Sequence, residues 1–206
     1  MALTTRTEAQ ETRRAAIEAS VLEATEALLG EGRSYGELTI EEIATRAGIG
    51  RSGFYFYFRD KRELLLRLTG EISELLYDEA EAWWSTEGDG PTELARALTQ
   101  VVDLYHEHGV LLRAVVEASA YDETVAAFWR ALLGRFVQAS RRRIEAEQAR
   151  GAIGPIPAEE TAFALSWMTE RACYQRIVAG GDPTNAGFNG ALVRIWVGAL
   201  YGRLDA

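Results

Sequence analysis

The sequence has little of what disulfide-bonded, secreted or membrane-spanning proteins need: its 206 residues include one cysteine, two histidines and four prolines. The single cysteine, Cys173, cannot form a disulfide within the chain, which fits a reducing compartment. No run of about 18 apolar residues could span a membrane, and acids and arginines occupy the N-terminal stretch where a signal peptide needs an apolar segment. We therefore expect a cytoplasmic protein.

Residues for catalysis or metal binding are also scarce. His106 and His108 are two positions apart and point to different sides of a helix, so they favour a solvated pair over a shared metal. Cys173 has no histidine nearby in sequence, which favours a buried structural thiol. No glycine-rich phosphate loop is present. The sequence predicts no metal, no cofactor and no enzymatic activity.

The net charge of −9 conceals a local reversal of sign. Between Thr45 and Arg67, six basic residues face two acidic ones, a local net of +4. We call this stretch the basic segment. An acidic body with one basic patch is typical of a DNA-binding module attached to a larger sensing domain. The alternative is a solvated, arginine-rich helix surface without a partner.

Apolar residues recur at helical spacing almost throughout, which predicts an all-α fold of about nine helices. The first helix is expected over roughly residues 9 to 30. Thr39 and Glu42 have the spacing of a capping box, so a second, short helix should begin there and end at Gly48. A further capping signal at Asp60 predicts the start of a long fourth helix.

Between these two starts lie five consecutive aromatic residues, Phe54 to Phe58. The remaining space admits only a short helix flanked by turns, because a lone strand would leave its backbone groups unpaired. On a helix, Phe54 and Phe58 share a face, which we predict to be inward, with Tyr55 and Tyr57 outward. Two short helices joined by a glycine-containing turn have the form of a helix-turn-helix, whose second helix enters the major groove of DNA.

The stretch LTIEEIATRAGIGRSGFYFYFRDKRELL, residues 38–65, resembles the N-terminal domain of the TetR family of bacterial transcriptional regulators. The aromatic run and the segments at 167–180 and 191–202 are similar to the EthR-type branch of that family. The resemblance implies a three-helix DNA-binding domain over residues 1–66 and a ligand-binding and dimerisation domain over 67–206, with the fourth helix shared between them.

The resemblance also implies a set of DNA contacts. Lys61, at a helix N-terminus, suits a phosphate contact, whereas Arg51 suits either a guanine edge or a non-specific phosphate. Gly53 stands where the family commonly has threonine or serine, so either the backbone approaches DNA closely there or its neighbours do the reading. The implied contacts are Thr39, Arg51, Ser52, Gly53, Tyr55, Tyr57 and Lys61.

In the second domain the resemblance implies an elongated apolar cavity. Glu170 would bond a donor group of the ligand, or it would pair with Arg171 or Arg194. The last two helices, expected over roughly 158 to 180 and 185 to 203, carry small residues that suit close helix packing, and the resemblance implies that they form a homodimer interface. The implied lining residues are Leu98, Val101, Tyr105, Trp129, Phe136, Ser140, Thr169, Glu170, Tyr174 and Trp196.

These features predict a ligand-responsive repressor that binds a palindromic DNA operator as a homodimer and is released by a hydrophobic small molecule. The acidic total charge and the aromatic-rich body favour one alternative, a small-molecule carrier or enzyme on an all-α scaffold with no role in DNA.

Overall fold

The computed structural model describes residues 2–85, 88–182 and 184–202, and within these ranges the chain forms nine α-helices and no strand. The predicted all-α fold is confirmed. None of the described helices is long and apolar enough to cross a membrane. The helices are α1 (Ala2–Gly30), α2 (Ile40–Arg46), α3 (Arg51–Tyr57), α4 (Lys61–Ser85), α5 (Gly90–Glu107), α6 (Gly109–Ala118), α7 (Glu123–Ala149), α8 (Ala158–Val178) and α9 (Ala186–Tyr201).

Local capping chemistry sets the boundaries of the N-terminal helices. The Thr39 hydroxyl accepts the Glu42 N–H at 3.2 Å, and the Glu42 carboxylate accepts the Thr39 N–H at 2.8 Å, so the predicted capping box opens α2. Gly48 follows α2 with φ of 70°, a left-handed conformation that glycine adopts without steric cost. Helix α1 begins at Ala2, earlier than predicted, since neither glycine nor proline precedes Gly30.

Helix α3 confirms the short helix predicted for the aromatic run. Phe54 and Phe58 are 0% and 1% exposed and stack with ring centroids 5.4 Å apart. The core that they enter is continuous: it extends through Leu64 and Leu68 of α4 to Leu112 of α6. The predicted domain boundary at 66/67 therefore lies inside both a single helix and a single core.

Similar signals set the starts of the C-terminal helices. Asp122 accepts the N–H groups of Thr124 and Val125 at the start of α7, and Asn185 accepts two N–H groups at the start of α9. Proline follows the first residue of α5 and precedes α8, where its missing N–H is no loss. Helices α7 and α8 pack together, as do α5 with α4 and with α9, so these five helices surround the interior of the C-terminal region.

Candidate DNA-binding surface and ligand cavity

Helix α3 exposes four side chains to solvent, on two successive turns. Arg51 and Ser52 are exposed in its first turn, and Tyr55 and Phe56 follow one turn later with 46% and 71% of their surface exposed. We call these four residues the α3 face. It combines a guanidinium, two hydroxyls and an aromatic ring, which suits both the phosphates and the base edges of a DNA groove.

The predicted outward position of Tyr57 is wrong. Tyr57 is half-buried and packs against the core, and Phe56 takes the exposed position instead. Successive helical residues turn by about 100°, so Phe56 lies about 200° from the buried Phe54, whereas Tyr57 returns to within about 60° of it. Phe56 is thus an exposed residue of the α3 face that the sequence reasoning missed, although this helical angle was enough to find it.

Most of the charge in the basic segment is neutralised by acids that lie elsewhere in the chain. Three of the pairing acids fall outside the stretch Thr45–Arg67, and counting them leaves six basic residues against five acidic ones, a net of +1. Among the described residues Arg51 makes no ion pair, so it is the arginine of this segment best able to bind a partner. The pairs are Arg46–Glu31 (2.8 Å), Arg59–Glu63 (2.9 Å), Arg62–Asp122 (2.5 Å) and Arg67–Glu18 (3.0 Å).

Lys61 directs its ammonium into the protein. Its Nζ donates to the backbone carbonyls of Tyr35 at 2.9 Å and Gly36 at 3.1 Å, and also to that of Leu38. Partial burial lowers the pKa of this ammonium. An ammonium has three N–H donors, and all three are used here, so the predicted phosphate contact has no free side-chain donor in this conformation. Through these hydrogen bonds Lys61 instead connects the loop between α1 and α2 to the start of α4.

Two other predicted contact residues have clear structural surroundings. The Thr39 hydroxyl donates to the Glu42 carboxylate at 2.7 Å, so its proton is already used within the capping box. Hydrogen bonds from Arg33 and from Thr39 lower the pKa of Glu42 to about 2 and keep that box ionised. A Cβ on Gly53 would meet only the side chain of Ile49, at 3.6 Å, which is ordinary contact. The fold therefore does not require glycine at position 53.

In the C-terminal region five helices line an apolar cavity of about 670 Å³, a volume that includes its opening to solvent; about 80 Å³ of it can hold the centre of a water molecule. Helices α4, α5, α7, α8 and α9 all contribute walls. The lining residues are Leu76, Ala80, Trp83, Trp84, Leu94, Ala97, Leu98, Val101, Tyr105, Trp129, Leu132, Leu133, Phe136, Ser140, Ser166, Thr169, Glu170 and Trp196.

Nine of the ten predicted lining residues lie on this wall, and Tyr174 does not. Tyr174 is one turn beyond Glu170 on α8, where its ring packs under the Arg171 guanidinium at 4.9 Å. The sequence reasoning missed the wall supplied by α4, including Trp83 and Trp84. Both tryptophans were visible in the sequence, but nothing there showed which face of α4 they occupy.

Few polar atoms of this cavity remain unpaired. The indole N–H of Trp196 donates to the Thr169 hydroxyl at 2.8 Å, and that of Trp83 donates to Tyr201 at 3.3 Å. By contrast, the buried indole N–H groups of Trp84 and Trp129 have no hydrogen-bond partner.

Glu170 is the unusual member of the wall. It is 2% exposed, and neither carboxylate oxygen accepts a hydrogen bond. Its ion partner is Arg171, whose side chain is half exposed. The Arg171 Nε lies 3.6 Å from Oε2 of Glu170, beyond hydrogen-bond range. Among the described residues, Glu170 makes no ion pair with Arg194. Burial raises the pKa of Glu170, an effect that Arg171 partly opposes. Burial likewise raises the pKa of Tyr105, and raises that of the Cys173 thiol to about 12.

A third surface lies on the outside of α8 and α9. Phe163 and Val178 of α8 are 55% and 48% exposed, and Ile195 of α9 is 46% exposed. Phe163 stacks on Trp167 of the same helix with ring centroids 6.1 Å apart. We call Phe163, Trp167, Val178 and Ile195 the α8–α9 face.

Comparison with known protein families matches both parts of the chain. Residues 21–68 match the model of the bacterial regulatory proteins of the tetR family, and residues 94–202 match that of the C-terminal domain of the transcriptional regulator EthR. EthR of Mycobacterium tuberculosis, an HTH-type transcriptional regulator, is 30% identical over 194 residues, which cover 90% of this chain and 87% of the relative.

Solved structures share the fold at low identity. The complex of SmeT with triclosan superposes with a TM-score of 0.76 at 18% identity and covers 90% of this chain and 92% of SmeT; SmeT is the repressor of a Stenotrophomonas maltophilia efflux pump. FadR of Bacillus subtilis in complex with stearoyl-CoA gives a TM-score of 0.74 at 13% identity and covers 88% of this chain and 98% of FadR.

Proposed function

The chain belongs to the TetR family and carries an EthR-type C-terminal domain, and from this premise we propose that it is a ligand-responsive repressor that binds a palindromic operator as a homodimer. Its relatives are transcriptional regulators, not enzymes, which sets aside the carrier or enzyme alternative. The observation that carries the proposal is the presence, in one chain, of an exposed α3 face and of an apolar cavity in the C-terminal region, with helix α4 running from one to the other.

We place the DNA contact on the α3 face. Arg51 has no ion pair among the described residues, so its guanidinium can reach a guanine edge without first breaking a bond within the protein. Phe56 adds an apolar ring, which suits the methyl group of thymine. Tyr55 and Ser52 supply hydroxyl donors for phosphates, and such contacts fix the position of the protein on DNA but carry no sequence information.

A mobility-shift titration on the DNA upstream of its own gene tests this assignment. Arg51→Ala should change the ranking of operator variants and weaken the best site by about 1–3 kcal/mol. Tyr55→Phe should instead weaken all sites alike. Arg130→Ala is the matched control, because it removes an exposed arginine of α7, far from α3 in the sequence. In the folded chain Arg130 pairs with Glu123. An unchanged ranking with Arg51→Ala would move base reading to other residues.

We propose that the α8–α9 face joins two copies of the chain. Its three exposed apolar side chains and the stacked Trp167 suit a two-fold helical interface, which would set two α3 helices to read two half-sites. Phe163→Glu combined with Ile195→Glu should give monomers in analytical ultracentrifugation and abolish operator binding. Leu75→Glu, at a residue of α4 that is 48% exposed, should leave both unchanged. A dimer that survives the double change places the interface elsewhere.

We also propose that a hydrophobic ligand in the cavity releases the operator. The cavity is mainly apolar, and the fold neighbours SmeT and FadR have been solved with triclosan and with stearoyl-CoA. Helix α4 links the two sites, because it lines the cavity with Trp83 and Trp84 and its first residue, Lys61, holds the loop beside α2. Linkage requires that a ligand which weakens operator binding is itself bound more weakly by the operator complex.

A further inference from the structure

The cavity wall contains one acidic group that a purely hydrophobic ligand leaves without a hydrogen bond, the Glu170 carboxylate. The side chain is 2% exposed, and both oxygens lack a hydrogen-bond partner. Buried carboxylates in proteins are ordinarily hydrogen-bonded, so one that accepts no hydrogen bond on the wall of this cavity points to a donor that arrives with the ligand.

Several donors of the wall are already used within the protein. The Thr169 hydroxyl donates to the Leu165 carbonyl at 2.9 Å, and the indole N–H groups of Trp83 and Trp196 are also used within the protein. Arg171 lies 3.6 Å away with half of its side chain in solvent. No hydrogen bond from the described residues reaches either carboxylate oxygen, so a donor carried by the ligand can bind there.

The surrounding walls favour a positively charged donor over a neutral one. Six aromatic residues line the same cavity, and the faces of aromatic rings attract cations, above all where water is excluded. A protonated primary amine has N–H donors for both carboxylate oxygens and a charge opposite to that of Glu170. The aromatic residues are Trp83, Trp84, Tyr105, Trp129, Phe136 and Trp196.

We propose that the effector is an apolar molecule that carries a primary amine, with its ammonium bound to Glu170 and its hydrocarbon part packed among the rings. This rests on the proposed function only in treating the cavity as the effector site. The two unpaired indole N–H groups, of Trp84 and Trp129, add a place for an acceptor oxygen elsewhere on the same ligand.

Three probes with the same ten-carbon chain separate the possibilities: decylamine, 1-decanol and decanoic acid, each titrated into the free protein at pH 7.5 below its aggregation threshold. The cavity tryptophans report occupancy through their fluorescence. Satisfying the buried carboxylate predicts that decylamine binds about 5 to 150 times more tightly than 1-decanol. Decanoic acid should bind most weakly, since its carboxylate would face Glu170.

Glu170→Gln keeps the shape of the side chain and removes its charge, and it should reduce the preference for the amine over the alcohol to about twofold or less. Glu160→Gln, at the exposed start of the same helix, should keep the full preference. Equal binding of amine and alcohol to the unmodified protein, absence of amine binding, or a preference that survives in Glu170→Gln would each overturn the proposal. Because the titrations contain no DNA, these results are independent of whether the protein binds its operator.

Discussion

Glu170→Gln should stabilise the empty protein, and the gain should depend on pH. In the folded chain the Glu170 carboxylate is buried without a hydrogen bond, whereas in the unfolded chain it is hydrated. An unsatisfied buried polar group costs about 1–3 kcal/mol, and more when it is charged. The glutamine variant has nearly the same volume but no charge, so the comparison isolates the ionisation of this one group.

The sign follows from the raised pKa of Glu170 in the folded state. Below the ordinary value of 4.5 the carboxyl group is protonated in both states, so it contributes no ionisation penalty. As pH rises from there to the raised folded pKa, the folded state holds its proton longer than the unfolded state does. The free energy of unfolding of the original protein then falls relative to that of Glu170→Gln by about 1.4 kcal/mol per pH unit.

The ionisable groups near Glu170 do not obscure this window. Tyr105 of α5 and Cys173 of α8 have raised pKa values and stay neutral between pH 5 and pH 8. The walls from α4, α7 and α9 contain no ionisable side chain. The difference between the two proteins from pH 5 to pH 8 therefore belongs to Glu170.

Urea unfolding at pH 5, 6, 7 and 8 measures that difference. We expect Glu170→Gln to be more stable by about 1–3 kcal/mol at pH 8, with the gap narrowing towards pH 5. Glu160→Gln, which removes an exposed charge from the same helix, is the control and should show only a small gap. A gap at Glu170 that is constant with pH, or a variant less stable at pH 8, would refute the assignment of an unpaired buried carboxylate.

Three further substitutions test the packing and the DNA surface. Gly53→Ala should raise the free energy of unfolding by about 1 kcal/mol, and loss of operator binding in that stabilised variant would show that the backbone approaches DNA closely there. Gly90→Ala should lower the free energy of unfolding, measured in urea, by about 1–3 kcal/mol because the new Cβ would lie 2.9 Å from Cζ of Tyr201. Gly134→Ala is the control: a Cβ there would meet nothing within 4 Å, so this variant should be more stable than the original protein. Lys61→Met loses three hydrogen bonds to backbone carbonyls, so it should lower the free energy of unfolding by about 1–3 kcal/mol. Weaker operator binding at unchanged stability would instead indicate that Lys61 contacts a phosphate.

Helix starts were predictable because their signals are local. Thr39 with Glu42, and Asp122 with Val125, satisfy backbone groups only three residues away, so the sequence alone contains both partners. The capping signal predicted at Asp60 forms only one half of a capping box with Glu63, three residues later. Asp60 accepts the Glu63 N–H at 2.8 Å, but the Glu63 carboxylate turns to the Arg59 N–H at 2.9 Å.

Charge pairing was not predictable in the same way. The acids that neutralise the basic segment include Glu18, Glu31 and Asp122, and the last of these is 60 positions from its partner. A count along the sequence treats those acids as absent and overstates the local positive charge. Tertiary packing thus leaves Arg51 as the arginine of the basic segment that is exposed and makes no ion pair with the described residues.

The stability of the empty protein and the selectivity of its cavity should share one origin. A penalty of about 1–3 kcal/mol at Glu170 corresponds to a factor of about 5 to 150 in a binding constant. An ammonium ligand that pairs with the carboxylate removes this penalty, and a neutral ligand of equal length does not. Glu170→Gln should therefore gain at pH 8 about as much free energy of unfolding as it loses in preference for decylamine over 1-decanol. If the variant becomes more stable but retains its preference for the amine, the carboxylate is a strained structural residue and the amine binds elsewhere on the wall.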